Sequence, residues 1–507
     1  MIKRPQAEIF KAEWRPENLN PQRRGRKKIA RASTYLGVRR TQPELDFVDV
    51  DVYGDVPLFV NPGAIRRSES DWAQHCAFLI RDFMQLVVES IRSNELDHAR
   101  NLLMYLGEPN ETHLGLSAVG QPARGHAVGE EFAELIIDAI RNSPAGKSGR
   151  ITDLEDTVMM IAGIGSDLIS DITTNIIRGP LIQYTNDICG AYGVDMGAFI
   201  PRNDQAVWNP ELHEWEHPQV LLPVANGRGL ILVPKSLVRA KVDGDSYFRD
   251  YLMNFIAERE LENPNSEFVR ILKNKELRPI RGLIRERFGS KELATKILTN
   301  DEVMYAKYRT AVAAGDPRGS HAESVLAAVG AGAPDLDALL ADVIALPPGN
   351  EAFGAYELAI DRLWGAMFST VLQFPKPQQQ QDQGRKRVDM LWTNAATSGF
   401  FGWVKGVCNA HYVLAEYKNY GSEIGNPEFD QLAGRFGPSK GMFGFLICRS
   451  IADKERAFAR AREIRTDGKG FIIPLDDNDL RDLVEAAKAG SDTVFSFLQN
   501  KLLKISQ

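Results

Sequence analysis

From Asn350 onward the hydrophobic period of the chain switches repeatedly between that of a helix and that of a strand, which restricts this third to an α/β arrangement. Phe353, Tyr356, Ile360, Leu363, Trp364 and Met367 recur at helical spacing over 350–368. Asn350 reads as the N-cap after the Pro-Pro-Gly stop at 347–349. Strand patterns follow in KRVDMLWTN (386–394) and HYVLAEYKNY (411–420), separated by the aromatic loop SGFFGWVKGVCN (398–409). Then come a helix (426–437), a strand (442–450), a helix (452–464), the strand FIIPL (471–475) and a closing pair of helices. This unit is expected to span 346–507.

Glu416 and Lys418 are two apart on a strand and share a face. Pairing 386–394 with 411–420 as a hairpin sets Asp389 opposite Glu416. A Glu and a Lys two apart are ordinarily a solvated strand face. Here Val388, Met390 and Leu391 flank one strand and Val413, Leu414 and Ala415 the other, and charges inside such strands are costly to bury unless they bind something. Two carboxylates converging beside an ammonium suit metal-assisted phosphodiester hydrolysis. Asp389 and Glu416 supply hard oxygen ligands for Mg²⁺, with the backbone carbonyl of Tyr417 as a third protein oxygen. Lys418 is placed to handle the attacking water and to offset charge building on phosphorus.

The order helix, RVD strand, AEYKN strand, helix, strand, helix resembles the PD-(D/E)xK, or restriction-endonuclease-like, nuclease superfamily. The resemblance implies a mixed central sheet flanked by helices, with Mg²⁺ as cofactor and Mn²⁺ as substitute. The family's Asp, Glu and Lys carry over to Asp389, Glu416 and Lys418, and its helical Glu to Glu357. Val388 stands where the family name has proline, a variable position. Gln431 and Arg435 share a face of the helix at 426–437, and Gln431 matches the polar residue many members place near the metal. The implied activity is an endonuclease on DNA in preference to RNA. Such a domain behind a long unfamiliar front end suggests, by analogy of fold, a bacterial anti-phage defence effector with a protein partner or regulatory subunit. Self-association stays open. The rival outside enzymology is a DNA-binding or scaffold protein that uses a nuclease fold for docking.

The preceding 345 residues divide into a basic arm (1–45), a mainly helical domain (46–205) and a β-rich connector with a charged helical region (206–345). Residues 1–40 carry twelve Lys/Arg and three Glu, a balance of +9, so with a chain total of −6 the remainder carries −15. The cluster PQRRGRKKIARAS (21–33) is a candidate phosphate-contacting arm; a solvated tail is the plainer alternative. LDFVDVDVYGDVPLFV (45–60) alternates like a half-exposed strand, with Asp49 and Asp51 on one face. MMIAGIGSDLISDITTNII (159–177) lacks the lysine of a phosphate loop and reads as a turn with Ser166 or Asp167 capping a helix. VLLPVANGRGLILVPKSLV (220–238) reads as two strands around an Asn-Gly turn, and PKPQQQQDQG (375–384) as a polar loop.

His213-Glu214-Trp215-Glu216-His217 matches the zinc-protease pattern HExxH, but Pro218 disfavours the helix that would align both histidines. A turn with exposed polar residues is the better reading. Four cysteines, widely spaced and without a CxxC pair, argue for reduced thiols. With no apolar run of membrane length and no secretory leader, a cytoplasmic protein without membrane contact is expected.

Overall fold

The computed structural model describes residues 30–115, 127–142, 166–195, 199–202, 206–240, 321–381, 386–396, 398–421, 423–437 and 441–506, with scattered positions between 253 and 288. The architecture is mixed α/β. Buried apolar side chains gather into two cores, one running from Ala32 to Val329 and the other from Leu339 to Ile505.

In the first core lie strand β1 (Leu58–Val60) and helices α1 (Asp71–Arg92) and α2 (Arg178–Ala191). Ser70 caps α1 by accepting from the Ala73 amide. Residues 30–45, taken above as part of the basic arm, belong to this core: Ala32, Leu36 and Leu45 are buried. Residues 1–29, with most of the positive charge, lie outside the described residues. The alternating segment 45–60 is not a half-exposed strand. Residues 45–50 are all buried, and β1 forms at the end of the segment alone. Asp49 is tolerated inside because Ser33 donates to it through both N–H and Oγ, each at 2.8 Å. The described helix runs Ser166–Ile176, with Ser166 and Asp167 inside its first turn and not at its cap, while 159–165 lie outside the described residues.

The HEWEH segment forms a β-hairpin, β2 (Val207–Asn209) with β3 (Glu214–Glu216). His213 lies in the turn before β3 with its ring 6.3 Å from that of Trp208, and His217 follows β3 with its ring 5.5 Å from that of Tyr105, so the two are not one turn apart on a helix as the zinc pattern requires. The Asn-Gly turn is present between β4 (Val220–Ala225) and β5 (Arg228–Gly229), with φ of 51° at Asn226 and 73° at Gly227, as a two-residue hairpin requires. Within the charged region of 206–345 read above as helical, the described residues include a hairpin of Val269–Ile271 with Leu277–Pro279.

The second core surrounds one five-stranded sheet. Helix α3 (Leu336–Ala345) joins it through Leu339, Leu340 and Val343. A short 3-10 turn, Asn350–Ala352, leads into α4 (Phe353–Phe368), so Asn350 opens that turn and does not cap the helix. Then follow β6 (Leu372–Gln381), β7 (Lys386–Asn394), α5 (Gly399–Val407), β8 (Tyr412–Lys418), α6 (Asn426–Ala433), β9 (Phe443–Cys448), α7 (Lys454–Thr466), β10 (Phe471–Leu475), α8 (Asp477–Ala489) and α9 (Ser491–Ser506). Strand order equals chain order. β6–β7 and β7–β8 pair antiparallel, β8–β9 and β9–β10 parallel. α6 and α7 supply the crossovers that parallel neighbours require.

Two elements differ from expectation. Much of the Gln-rich stretch at 375–384 is strand, not loop. β6 is an edge strand, where Pro375 and Pro377 cost no central ladder bond. A register shift between Gln373 and Lys376, with Phe374 at φ 54°, accommodates the irregularity. The aromatic loop 398–409 is largely α5. Phe400 and Phe401 are buried against Phe443, Phe495 and Phe368 at 5.8, 6.5 and 5.2 Å between ring centroids. These rings fill the core of their own unit.

The cores meet along α4. Arg362 pairs with Glu44 at 3.0 Å, and the Ser369 hydroxyl donates to the Pro43 carbonyl at 3.0 Å. Lys405 pairs with Glu69 at 2.6 Å. Phe374 packs against both Trp72 and Tyr184, with centroid distances of 5.4 and 5.5 Å.

Candidate active site

The β7–β8 ladder pairs Met390 with Ala415 and Leu391 with Leu414; one step further, Asp389 stands opposite Glu416. The backbone pairing stops there. The Tyr417 amide donates to Asp389 Oδ2 at 2.9 Å, in place of a ladder bond. In a strand the N–H and C=O of one residue point to the same side, so the Tyr417 carbonyl is also directed toward β7 and Asp389.

Glu416 is 1% exposed and Lys418 7%. Lys418 Nζ donates to Glu416 Oε1 at 3.0 Å and to Gln431 Oε1 at 3.2 Å. The Gln431 amide donates to the same Glu416 oxygen. Phe429 and Leu432 bury the inner side of α6 and bring Gln431 to this point. Glu416 Oε2, by contrast, is buried and meets no hydrogen-bond partner. Burial raises the Glu416 carboxyl above its ordinary range, Asp389 adds to the rise, and Lys418 and Arg435 oppose it. A buried acceptor without a partner is expensive, and a neighbouring like charge adds to that cost. A divalent cation between the two carboxylates would relieve both.

Among the described residues no three His, Cys, Asp or Glu side chains converge as a metal cluster. An ion here would be held by two carboxylates, a backbone oxygen and waters. That donor set suits Mg²⁺, which keeps several waters, better than zinc.

Asp389 is half-buried and borders a cleft of about 780 Å³ between the two cores. Glu357 borders it too, and so does Asp361, one helical turn further along α4. The opposite wall comes from the first core: Arg40, Asp71, Trp72 and residues of α2. Glu416, Lys418 and Gln431 do not line the cleft. Glu357 therefore borders the same cleft as Asp389.

Sequence reasoning missed Asp361. Its Oδ1 accepts from the Tyr417 hydroxyl at 3.3 Å and its Oδ2 from Arg40 at 3.4 Å. Its i, i+4 spacing from Glu357 was the available signal; its partners are distant in sequence. Burial pushes the Asp361 carboxyl up to about 6, against the pull of Arg40 and Tyr417. A folded-state value above the ordinary 3.8 means that the folded chain holds this proton more tightly, so its contribution falls as pH rises from about 4 to about 6. The limit is ~3 kcal/mol, at 1.36 kcal/mol per unit. Asp361→Asn is therefore expected to gain melting temperature relative to the parent between pH 4.5 and pH 7. A difference that stays constant or shrinks across that range, by scanning calorimetry, would contradict this.

Residues 37–243 match the family model of a domain of unknown function, DUF8370. No curated protein and no solved structure matches the chain. The matched region contributes Arg40, Asp71, Trp72 and α2 to the cleft; the Asp389–Glu416–Lys418 group lies outside it. No described helix is long and apolar enough to cross a membrane.

Proposed function

We propose that the C-terminal unit is a Mg²⁺-dependent nuclease of the PD-(D/E)xK type, acting on DNA in preference to RNA. The observation that carries the reading is the pairing of Asp389 with a buried Glu416 whose Oε2 has no partner, beside Lys418. Asp389, Glu416 and the Tyr417 carbonyl would hold the ion, with Mn²⁺ as substitute. When bound, the ion supplies Lewis-acid polarisation of the phosphate and a more acidic water. Lys418 holds the water and offsets charge on the phosphorus oxygens. Gln431 fixes Glu416 and Lys418 relative to each other. Because Glu416 and Lys418 are buried, a phosphate reaches Lys418 only if the groups around it move apart.

The front end serves as a sensing or partner-binding region, in keeping with a defence effector. A docking scaffold is the competing reading, and the intact trio speaks against it. Nicking of supercoiled plasmid by the purified chain in Mg²⁺, abolished by EDTA, tests the proposal; equal absence of nicking in Mg²⁺ and Mn²⁺ would overturn it.

The arm adds phosphate contacts on this reading. Ser33 is needed inside the first core, so the informative deletion is 1–29, which removes nine Lys/Arg and three Glu. Its loss is expected to weaken binding to duplex DNA and to flatten the dependence of log K on log salt, by about 0.9 per lost phosphate contact. Identical affinities and slopes in filter binding would leave the arm as a solvated tail.

A further inference from the structure

We propose that Asp361 is a positioning residue through which the front end, the region matched by the family model, sets the geometry of the carboxylate pair. The contacts form an unbroken series across the junction of the two cores. Arg40, from the first core, lies 4.9 Å over the Tyr192 ring of the same core and donates to Asp361 Oδ2. Asp361 Oδ1 receives the Tyr417 hydroxyl. The main chain of Tyr417 then holds Asp389 through its N–H, on the side of the strand where its carbonyl also points. Three residues, Arg40, Asp361 and Tyr417, thus link a ring packed in one core to the carboxylate that borders the cleft in the other.

The position of Tyr417 gives the series its leverage. Its side chain leaves one face of the sheet toward α4, while Glu416 and Lys418, its neighbours in the strand, occupy the other face with Gln431. A shift of the Tyr417 ring is therefore carried to the backbone between the two proposed site residues. Its N–H makes no ladder bond to β7, so the side chain of Asp389 is what holds it. Any partner that displaces the front end pulls on Arg40, and the consequence arrives at Asp389. The inference deepens the nuclease reading, on which its functional consequence rests; the mechanical link itself does not depend on cleavage.

A series of contacts is spatial continuity until coupling is measured. The experiment compares Arg40→Ala, Tyr417→Phe and the double variant with the parent chain. Lys405→Ala serves as a control, because it breaks the Lys405–Glu69 contact between the cores without touching the series. Deuterium uptake by peptides covering 412–418 is followed in EDTA, and Mn²⁺ affinity by calorimetry. Arg40→Ala and Tyr417→Phe are each expected to speed uptake in that segment by about 5-fold, the equivalent of one hydrogen bond, and to weaken Mn²⁺ binding. The double variant should add little, since either change already breaks the link. Asp361→Asn, which still accepts from the Tyr417 hydroxyl, should retain part of the protection. Lys405→Ala should leave the segment unchanged. Unchanged uptake in Arg40→Ala, or equal acceleration in Lys405→Ala, would overturn the proposal. Coupling that holds in a chain binding no Mn²⁺ and cutting no DNA would retain the link and refute the nuclease reading instead.

Discussion

Asp389→Ala and Glu416→Ala are each expected to lower plasmid cleavage by at least about 100-fold, a loss typical for a group that stabilises charge in the transition state. If the trio acts as one unit, the double variant should be scarcely worse than either single one. The two changes differ in what they leave behind. Asp389→Ala strips the Tyr417 amide of its acceptor, an unsatisfied donor worth about 1–3 kcal/mol. It also removes the like charge that helps to raise Glu416, which offsets part of that cost. Glu416→Gln keeps the volume and removes a carboxylate that burial already disfavours in its charged form. It also leaves the buried Lys418 ammonium without its counter-charge, so it should lose cleavage with a moderate loss of melting temperature in EDTA. Parallel melts separate the effects, and a loss of activity that merely tracks a loss of fold would count against the site.

The second large effect concerns the junction of the cores. Gly365 lies on α4 where the helix runs against the 3-10 turn Gln42–Glu44 of the first core. A Cβ there would stand 2.7 Å from the Glu44 carbonyl oxygen, a backbone atom that cannot swing aside. Gly365→Ala is expected to cost about 1–3 kcal/mol, as overpacking does. The Arg362–Glu44 pair and the Ser369–Pro43 hydrogen bond flank the same approach and should loosen with it. The check is a thermal melt of Gly365→Ala beside Gly354→Ala, on the same helix, where an added Cβ meets nothing within 4 Å. Equal melting temperatures for the two variants would show that the junction tolerates separation.

The hairpin that carries the site was legible because its strands follow the simplest rules: apolar flanks, a period of two, and direct opposition of Asp389 and Glu416. The helix bearing Gln431 was legible for the same reason, with Phe429 and Leu432 marking its buried side. The front end was harder. Segment 45–60 alternates as a half-exposed strand would, yet over 45–50 both sides are buried, because Ser33 satisfies Asp49 and the Tyr184 hydroxyl donates to Asp46 at 2.8 Å. β6 escaped notice since prolines and a glutamine run carry no strand period; its place at the sheet edge supplies what its composition lacks. Glycines made 398–409 look like a loop, but its phenylalanines are held by rings on β9, α4 and α9, which no local pattern announces. Asp361 had only its spacing from Glu357 to mark it, since Arg40 is 321 residues away in sequence. Local periodicity located the candidate site; partners distant in the chain decided what surrounds it.

Lys418 provides the most direct test of the central claim. On a solvated strand face it would be a dispensable cation. Here it is buried between Glu416 and Gln431, and its proposed task is to handle the water that attacks phosphorus. Lys418→Ala should keep much of the divalent-ion binding that Asp389→Ala loses, because both carboxylates remain. The measurement is the initial rate of supercoiled plasmid nicking in Mg²⁺ for the parent chain and Lys418→Ala, with thermal melts of both. Nicking by the parent alone, with both chains folded, is the predicted result. Equal nicking rates for two folded chains would contradict it.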